Sequence, residues 1–354
     1  MLCLALVLVL TLTLTNTAEA QATNPDNSPP TANQQKAYLP IVQSPKLEQV
    51  MIGIYPPSWW TPNITDTIKN LMQPLDTWQG KKSSLAGVFH SFDQPNTVTN
   101  MLPYLWDSGY VPFVNLFLDA NCADIANRNY DNTIRLWATN YKTYAKDGTR
   151  MAFLAPLQEM NGYWVKYGRD PACYINVYKH IQDIFNQVGV PRQSVRWVFA
   201  PNGYSNPGDP PFESYYPGND YVDIVAFSSY NFGYNPSNPY PGWTSPQDVF
   251  QPYIDRLVVM APTKPIFVAQ TGTSGYGVST ATKNQWLKDT YGLLASNSHV
   301  KGVLYYNANS DYDWAFYLPP SNIFTGYRDG IASNKYVYVS PVEIFSFIPK
   351  TTIP

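Results

Sequence analysis

Eight short apolar runs, separated by longer segments with helical periodicity, restrict the fold of this chain more than any other feature. Each run has the length and near-continuous apolarity of a strand buried on both faces, as parallel strands beneath helices are. The runs cover residues 50–55, 86–92, 111–117, 151–157, 195–201, 222–230, 264–270 and 301–307. Eight strands alternating with helices in one domain predict an α/β fold of the (β/α)8 TIM barrel type.

The segments between the runs supply the helices. The clearest covers 174–189, where apolar residues fall on one stripe and Gly189 ends the pattern. Weaker helical patterns cover 64–78, 96–108, 131–147, 247–260 and 280–297, with Pro74 and Pro103 inside two of them. No G-x-G-x-x-G or P-loop pattern is present, which argues against an open nucleotide-binding sheet.

The N-terminal region reads as a targeting segment followed by a spacer. Residues 1–20 combine an apolar stretch with a small-x-small site, Ala18-Glu19-Ala20, and predict a signal peptide, although no Lys or Arg precedes the stretch. Residues 21–46, rich in Pro, Asn, Gln and Ser, predict a flexible linker before a barrel domain over 47–354. We therefore expect a secreted, extracellular protein with no stable membrane insertion after signal removal.

Net charge and amino-acid composition limit the classes of ligand that we expect the protein to bind. The 23 basic residues nearly balance the 25 acidic ones, and no basic run offers the footprint that nucleic acid needs. The three histidines and the cysteines form no recognised metal-ligand spacing, so we expect no metal or cofactor. The 28 Tyr and 10 Trp residues provide rings that stack on sugars as well as rings that fill the core.

Two cysteines remain once the signal peptide, with Cys3, is removed. Cys122 follows the third apolar run and Cys173 lies beyond the fourth, so both belong to neighbouring loops at one end of the barrel. In an oxidising compartment they predict a disulfide that would pin the loop carrying Tyr163 and Trp164.

The residues after each strand matter most, because the active sites of TIM barrels lie at the C-terminal strand ends. The fourth run continues as LAPLQEMNGYWVKYG and places Glu159 among aromatic rings. Desolvation there would raise the pKa of Glu159, as a general acid requires. Position alone leaves open that Glu159 only caps a loop or pairs with an arginine.

The stretch Gln158-Glu159-Met160-Asn161-Gly162, followed by Trp164 and by Tyr167-Gly168, resembles the His-Glu-Met-Asn-Gly motif of glycoside hydrolase family 26, the β-mannanase family. Two further stretches are similar to that family: VRWVFAPNG, which leads from the fifth strand to Asn202, and YYPGNDYVDIVAFSSYN, which leads into the sixth. The resemblance extends from about residue 50 to 320.

This resemblance implies a barrel that cleaves a β-linked polysaccharide with retention, with Glu159 as acid/base and a nucleophilic glutamate at the end of the seventh strand. In this chain the nucleophile position falls on Gln270, in KPIFVAQTGTSG, and a neutral amide cannot form the glycosyl ester. Gln158 replaces the histidine usual in mannanases, so the resemblance does not choose between mannan, xylan and mixed-linkage glucan.

The same resemblance implies a set of sugar contacts. Those we expect to bind substrate are Gln158, Asn161, Tyr163, Trp164, Asn202, Tyr230 and Trp314, with Trp59, Trp60 and Trp243 as further rings at the same face.

Two functions follow as expectations. The first is a secreted, endo-β-mannanase-like glycosidase; the second is a carbohydrate-binding pseudoenzyme that has lost its nucleophile. Gln270 would be a natural inactivation, an engineered change, or compensated by another carboxylate. An inverting mechanism would need a base about 6.5–9.5 Å from Glu159; the candidates are Asp93, Asp119, Asp311 and Asp313.

Overall fold

The computed structural model describes residues 48–57, 63–236, 238 and 242–353. Eight parallel strands close a barrel in chain order, β8 pairing with β1, so the predicted fold is confirmed. The strands are β1 (Met51–Tyr55), β2 (Leu85–Ser91), β3 (Val111–Phe117), β4 (Ala152–Pro156), β5 (Val195–Phe199), β6 (Ile224–Asn231), β7 (Ile266–Thr273) and β8 (Val300–Tyr306). After β8, the antiparallel pair β9 (Tyr317–Leu318) and β10 (Asn322–Ile323) forms a small separate sheet.

Helices follow the strands around the outside of the barrel. They are α1 (Ile64–Thr67), α2 (Gln73–Gln79), α3 (Asn96–Asp107), α4 (Cys122–Ala126), α5 (Asp131–Ala145), α6 (Pro171–Val188), α7 (Pro246–Met260), α8 (Thr280–Ser296), α9 (Thr325–Gly330) and α10 (Ile344–Phe347). A π-helical turn, Ile68–Met72, joins α1 to α2, and Pro74 is the second residue of α2. Pro103 lies inside α3, which nevertheless continues past it.

The core has two layers because successive strand residues point to opposite faces. Side chains such as Phe113, Phe153 and Phe267 fill the barrel interior, whereas their neighbours along each strand pack against the helices. The C-terminal segment, through Ile344 and Ile348, joins the interior cluster. It does so at the end where the strands begin, since Val337 donates its N–H to Val50 O at 3.1 Å.

A β-bulge interrupts this alternation in β7. Val268 pairs with Phe227 on β6, but the next pair is Gln270 with Ser228, so Ala269 is an extra residue. The register with β8 also shifts between Val268 and Thr271. Phe267 and Ala269 both belong to the interior cluster. Strict alternation would turn Gln270 outward, and the bulge turns it back toward the interior.

Several predictions lie outside the described residues: the signal peptide over 1–20, the linker over 21–46, and the rings of Trp59 and Trp60. Within the described part of the chain, no helix is long and apolar enough to cross a membrane.

Candidate active site

Glu159 follows β4 in a backbone conformation that few side chains adopt. Its φ is 54° and that of Leu157 is 53°, both in the left-handed region. Two hydrogen bonds hold the segment there: Leu157 N donates to Leu116 O at 2.6 Å, and Glu159 N donates to Ala200 O at 2.8 Å. Backbone strain persists where surrounding structure over-determines it, which is common at functional sites. The neighbouring strands β3 and β5 therefore fix the direction in which Glu159 points.

The carboxylate of Glu159 accepts hydrogen bonds from the side chains of Trp164 and Asn202. Trp164 Nε1 donates to Oε2 at 3.0 Å, and Asn202 Nδ2 donates to Oε1 at 3.3 Å. Burial raises the pKa of Glu159, while its hydrogen bonds act in the opposite direction. No ion pair to Glu159 occurs among residues 48–57, 63–236, 238 and 242–353. The alternative in which Glu159 pairs with an arginine is therefore wrong.

The loop from Gln158 to Tyr167, here called the Glu159 wall, is tied to its surroundings by buried polar groups. Asn161 is 1% exposed; its Nδ2 donates to Asn202 O and Tyr204 O, and its Oδ1 accepts from Asn202 N. Tyr167 donates to Gln158 O at 2.8 Å. These hydrogen bonds join Asn161 to the β5 loop, and its expected contact with substrate stays a prediction.

Gln270 lies opposite, 5% exposed, with both ends of its amide engaged. Tyr230 OH donates to Gln270 Oε1 at 3.0 Å, and Gln270 Nε2 donates to Gln158 Oε1 at 2.7 Å. Gln270, Tyr230 and Trp314 are here called the Gln270 wall. The predicted run ends at Gln270, but β7 continues to Thr273, so residue 270 lies inside the strand.

The two walls share one electrostatic neighbourhood. Burial first, and then the charge of Glu159, raises the pKa of Tyr230 well above its ordinary value. The Tyr230 hydroxyl therefore stays neutral and remains a hydrogen-bond donor at neutral pH. Gln158 belongs to the Glu159 wall and also bonds to Gln270, so it links the two directly.

Aromatic residues of the first, second and eighth strands pack together next to Ala269 of β7. Tyr55 OH donates to Ala269 O at 2.9 Å and accepts from Asn115 Nδ2 at 2.7 Å. The rings of Phe89 and Tyr306 lie 4.9 and 6.3 Å from that of Tyr55. Strand periodicity indicates that these residues are core, but it does not show that Tyr55 fixes the bulged carbonyl beside Gln270.

The remaining predicted rings occupy different environments. Tyr163 and Trp164 are 59% and 48% exposed and meet edge to face at 5.2 Å. Trp314 is only 5% exposed and packs 5.1 Å from Tyr230. Gly272 permits this contact, because a Cβ there would lie 3.1 Å from the Trp314 ring. Trp243 is half-buried against the outer core.

The four alternative carboxylates have other surroundings. Asp93 is exposed and accepts from Ser91 Oγ at 3.3 Å, and Asp119 is exposed and paired with Lys166 at 2.8 Å. Asp311 is exposed. Asp313 accepts from Ser274 Oγ at 2.6 Å and from Gly275 N. None of these hydrogen bonds or ion pairs joins an aspartate to Glu159 or Gln270.

Cys122 and Cys173 form a disulfide in the structure. Cys122 begins α4, and Cys173 lies in the first turn of α6 rather than in a loop as the sequence suggests. Asp170 caps that turn, since its side chain accepts from Cys173 N at 3.0 Å. The bond thus joins the segments that follow β3 and β4.

In the described ranges, no group of three or more His, Cys, Asp or Glu side chains could hold a metal ion.

Comparison with known sequences identifies the middle of the chain. Residues 131–268, from α5 to the middle of β7, match the model of glycosyl hydrolase family 26. The match covers less than half of the chain. The matched segment contains Glu159, Asn202 and Tyr230, and it ends two residues before Gln270.

Two curated proteins are similar to the chain. Endoglucanase H of Acetivibrio thermocellus is 27% identical over 223 residues, which is 60% of this chain and 23% of that protein. Mannan endo-1,4-beta-mannosidase A and B of Caldalkalibacillus mannanilyticus is 33% identical over 85 residues, 22% of this chain and 16% of that protein. The chain thus spans less than a quarter of either relative.

Solved structures are similar to this chain in fold. A GH26 β-mannanase from Bacteroides ovatus aligns with a TM-score of 0.58 at 13% identity, covering 87% of this chain and 94% of that one. The GH26 domain of an endo-beta-mannanase/endo-beta-glucanase from Prevotella bryantii gives 0.57 at 13%, covering 84% and 92%. At such identities the likeness concerns the barrel alone.

Proposed function

We propose that this chain is a secreted carbohydrate-active protein of the family 26 type, which binds a β-linked polysaccharide, β-mannan or a related β-glycan, across the cleft at Glu159. One observation carries this proposal: Glu159 is a desolvated carboxyl that pairs with no cation among the described residues, and it is held in a left-handed backbone conformation and hydrogen-bonded by Trp164. The names of the two curated relatives support a β-glycan as ligand.

Glu159 is assigned the role of general acid/base. A carboxyl with a raised pKa retains its proton nearer to neutral pH and can donate it to the glycosidic oxygen as the bond to the leaving sugar breaks. In a retaining cycle through a glycosyl ester, which needs a carboxylate opposite Glu159 to form that ester as the bond breaks, the resulting Glu159 carboxylate then accepts a proton from the water that hydrolyses this ester. Exposed Trp164 and Tyr163 lie beside it and suit stacking on the leaving portion of the chain.

Gln270 occupies the position of the nucleophile in this proposal. Its amide has no anionic oxygen. The amide oxygen accepts a hydrogen bond from Tyr230, and the amide nitrogen donates one to Gln158. A covalent glycosyl intermediate cannot form on it. This geometry favours a second candidate function, a carbohydrate-binding protein that holds its ligand without turnover.

The deciding experiment compares the native chain with Gln270→Glu on mannan, xylan and mixed-linkage β-glucan. Reducing-sugar release reports turnover, and affinity electrophoresis on the same polymers reports binding. Binding by the native chain without turnover, with turnover in Gln270→Glu, supports the binding protein. Turnover by the native chain that is lost in Glu159→Ala supports the hydrolase and demands another nucleophile or base. Absence of binding to every polymer contradicts both candidates.

A further inference from the structure

The amide of Gln270 has more hydrogen-bonding capacity than its described neighbours use. An amide oxygen accepts two hydrogen bonds, and an amide nitrogen donates two. Among the described residues, Tyr230 OH donates one to Gln270 Oε1 at 3.0 Å, and Gln158 Oε1 accepts one from Gln270 Nε2 at 2.7 Å. These two bonds fix the orientation of the amide and leave one acceptor and one donor position to meet a ligand.

Gln270 and Glu159 border the same space. Gln158 directly precedes Glu159 in the chain and is hydrogen-bonded to Gln270. Ser228 on β6 pairs with Gln270 in the sheet. Burial raises the pKa of Glu159, and the Ser228 hydroxyl partly offsets this rise because it lies next to that carboxyl. A sugar ring bound here would therefore meet a proton donor and an amide together.

A neutral amide suits a reaction in which the substrate supplies its own nucleophile. A β-linked 2-acetamido-2-deoxy sugar of gluco or galacto configuration carries its acetamido group trans to the leaving oxygen. The acetamido carbonyl oxygen can therefore bond to C1 from the face opposite the leaving group, and no glycosyl ester with the protein is needed. A β-mannoside cannot react in this way, because its C2 substituent is cis to the leaving oxygen.

Gln270 and the rings beside it have the groups that bind an acetamido substituent. The remaining acceptor position of Gln270 Oε1 can bind the acetamido N–H, which turns the carbonyl oxygen toward C1 and increases its electron density. The rings of Phe89 and Tyr306 are partly exposed and lie 6.4 Å apart. Both pack on Tyr55, whose hydroxyl donates to the backbone carbonyl that precedes Gln270. These rings therefore offer apolar surface for the acetyl methyl group.

We propose that this site hydrolyses β-linked glycans of 2-acetamido-2-deoxy sugars in gluco or galacto configuration. The acetamido oxygen of the substrate is the nucleophile, Glu159 is the acid/base, and Gln270 binds the acetamido N–H. This inference rests on the proposed function and names the class of β-glycan that the site cleaves. It also gives the amide at position 270 a task that a glutamate nucleophile does not have.

The reaction balances in atoms and charge. The acetamido carbonyl oxygen bonds to C1 as the bond from C1 to the leaving oxygen breaks, and Glu159 gives its proton to that oxygen. The product is an oxazolinium ion, whose positive charge faces the new Glu159 carboxylate and whose N–H stays on Gln270. Water then attacks C1 and gives a proton to Glu159. The ring bond from C1 to the acetamido oxygen breaks, which restores the acetamido group and leaves the sugar in the β configuration.

The test measures hydrolysis of chitohexaose, a β-1,4-linked chain of N-acetylglucosamine, by the native protein. The comparison substrates are the fully de-N-acetylated hexaose and cellohexaose, which lack the acetamido nucleophile but keep the backbone. The variants are Glu159→Ala and Gln270→Leu, which removes the amide but nearly keeps its shape. Gln187→Leu is the matched control, because Gln187 is exposed on α6. Circular dichroism checks the fold of each variant, and proton NMR identifies the first anomer released.

We expect the native protein to release β-anomers from chitohexaose and to cleave the two comparison hexaoses at least about 100-fold more slowly. Glu159→Ala should abolish cleavage. Gln270→Leu should lower kcat by about 10–100-fold, because one hydrogen bond to a group that develops charge is lost, and Gln187→Leu should change nothing. Aryl β-glycosides with mono-, di- and trifluoroacetamido groups should react progressively more slowly, since fluorine withdraws electrons from the attacking oxygen.

Four results would overturn the inference: binding of chitohexaose without cleavage, equal cleavage of chitohexaose and cellohexaose, release of the α-anomer, or rates that do not change with fluorine. An unchanged kcat in Gln270→Leu would remove Gln270 from the reaction. In each of these cases the proposed function stands, because binding of a β-glycan is retained. If the native protein binds neither chitohexaose nor mannan, xylan or mixed-linkage glucan, the proposed function fails and this inference with it.

Discussion

The Glu159 wall and the Gln270 wall position their central side chains in similar ways, but the two side chains differ in chemistry. Each places one side chain by an irregularity of the backbone: a left-handed conformation at Glu159 and a bulge at Ala269. Each supports that side chain with hydrogen bonds from neighbouring strands. One wall presents an ionisable carboxyl and the other a neutral amide. The comparison teaches that the direction of a side chain and its chemical reactivity are separate properties. In this chain both side chains are held in a defined direction, but only Glu159 is ionisable.

The walls also differ in how they are fastened. The disulfide Cys122–Cys173 joins the first turns of α4 and α6, which flank the Glu159 wall. The Gln270 wall depends on packing and hydrogen bonds, such as those from Tyr305 to Trp314 O at 2.8 Å and from Lys283 to Asp313 O. We therefore expect reduction of the disulfide to affect the Glu159 wall, whereas the Gln270 wall should be sensitive to mutations that remove packing or hydrogen bonds.

The largest expected effect comes from removing the carboxyl of the Glu159 wall after restoring one on the Gln270 wall. In a Gln270→Glu background, Glu159→Gln should lower kcat on an unactivated β-glycan by about 10²–10⁴-fold, because proton donation to the leaving oxygen is lost. Initial rates of reducing-sugar release measure it. An aryl glycoside should lose much less in the glycosylation step, because its leaving group needs no proton.

Asp119→Asn in the same background is the matched control. It removes an exposed carboxylate in the loop after β3 that is paired with Lys166 of the Glu159 wall, so the rate on either substrate should stay unchanged. Equal losses on both substrates in the Glu159 variant would contradict the assignment of Glu159 as acid.

The next effect concerns fastening. Replacing Cys122 and Cys173 together by serine should lower the free energy of unfolding by about 2–4 kcal/mol, because the unfolded chain is no longer cross-linked across 51 residues. Urea unfolding of native and double-variant protein, followed by circular dichroism, measures the loss. In the Gln270→Glu background the variant should also lose activity at temperatures that the parent tolerates.

Reduction of the native protein by dithiothreitol provides the control for this pair, since it opens the same bond without changing the sequence. A double variant as stable as the oxidised native protein would show that the bond contributes nothing to the Glu159 wall.

The smallest effect is a pH dependence of stability. Burial raises the pKa of Glu159 in the folded state, so the folded protein holds this proton more tightly than the unfolded chain. The folded state then loses stability as the pH rises from the ordinary range of a glutamate through the raised pKa. Glu159→Gln removes this loss and should be more stable than native by about 0.5–2 kcal/mol at pH 7.

Urea unfolding at pH 4 and pH 7 separates this effect from a change in packing. The difference between the Glu159→Gln variant and native should shrink at pH 4, where the native carboxyl is protonated in both states. Glu48→Gln, at a half-exposed ion pair with Lys335, should gain nothing at pH 7. A gain at Glu159 that is independent of pH would contradict burial as its cause.

Sequence patterns predict the barrel well because each buried parallel strand consists of a short run of consecutive apolar residues. The run 111–117 coincides with β3, and the helical pattern over 131–147 corresponds to α5. The boundaries shift where tertiary pairing extends an element, as in β7, which continues three residues beyond Gln270 through polar positions. Thr271 and Thr273 remain strand because β6 and β8 bind them, which no local pattern records.

The candidate site is less predictable from sequence. The motif around Glu159 predicts sugar contacts there, but it does not predict that Asn161 is buried and hydrogen-bonded to the β5 loop. Asp313, considered as a base, binds Ser274 and Gly275 instead. These roles depend on contacts between residues about 40 positions apart. The bulge at Ala269 leaves no sequence signal, because its cause lies in the pairing of three strands.

The bulge in β7 has a consequence for how this lineage of sequences can change. The extra residue in β7 sets the direction in which the side chain of residue 270 points. This direction therefore does not depend on which amino acid occupies position 270. Codons for glutamine and glutamate differ in a single base. A single base change would therefore place a glutamate at position 270, pointing in the same direction. The Tyr230 hydroxyl, which now donates to Gln270, would be positioned to donate to that carboxylate.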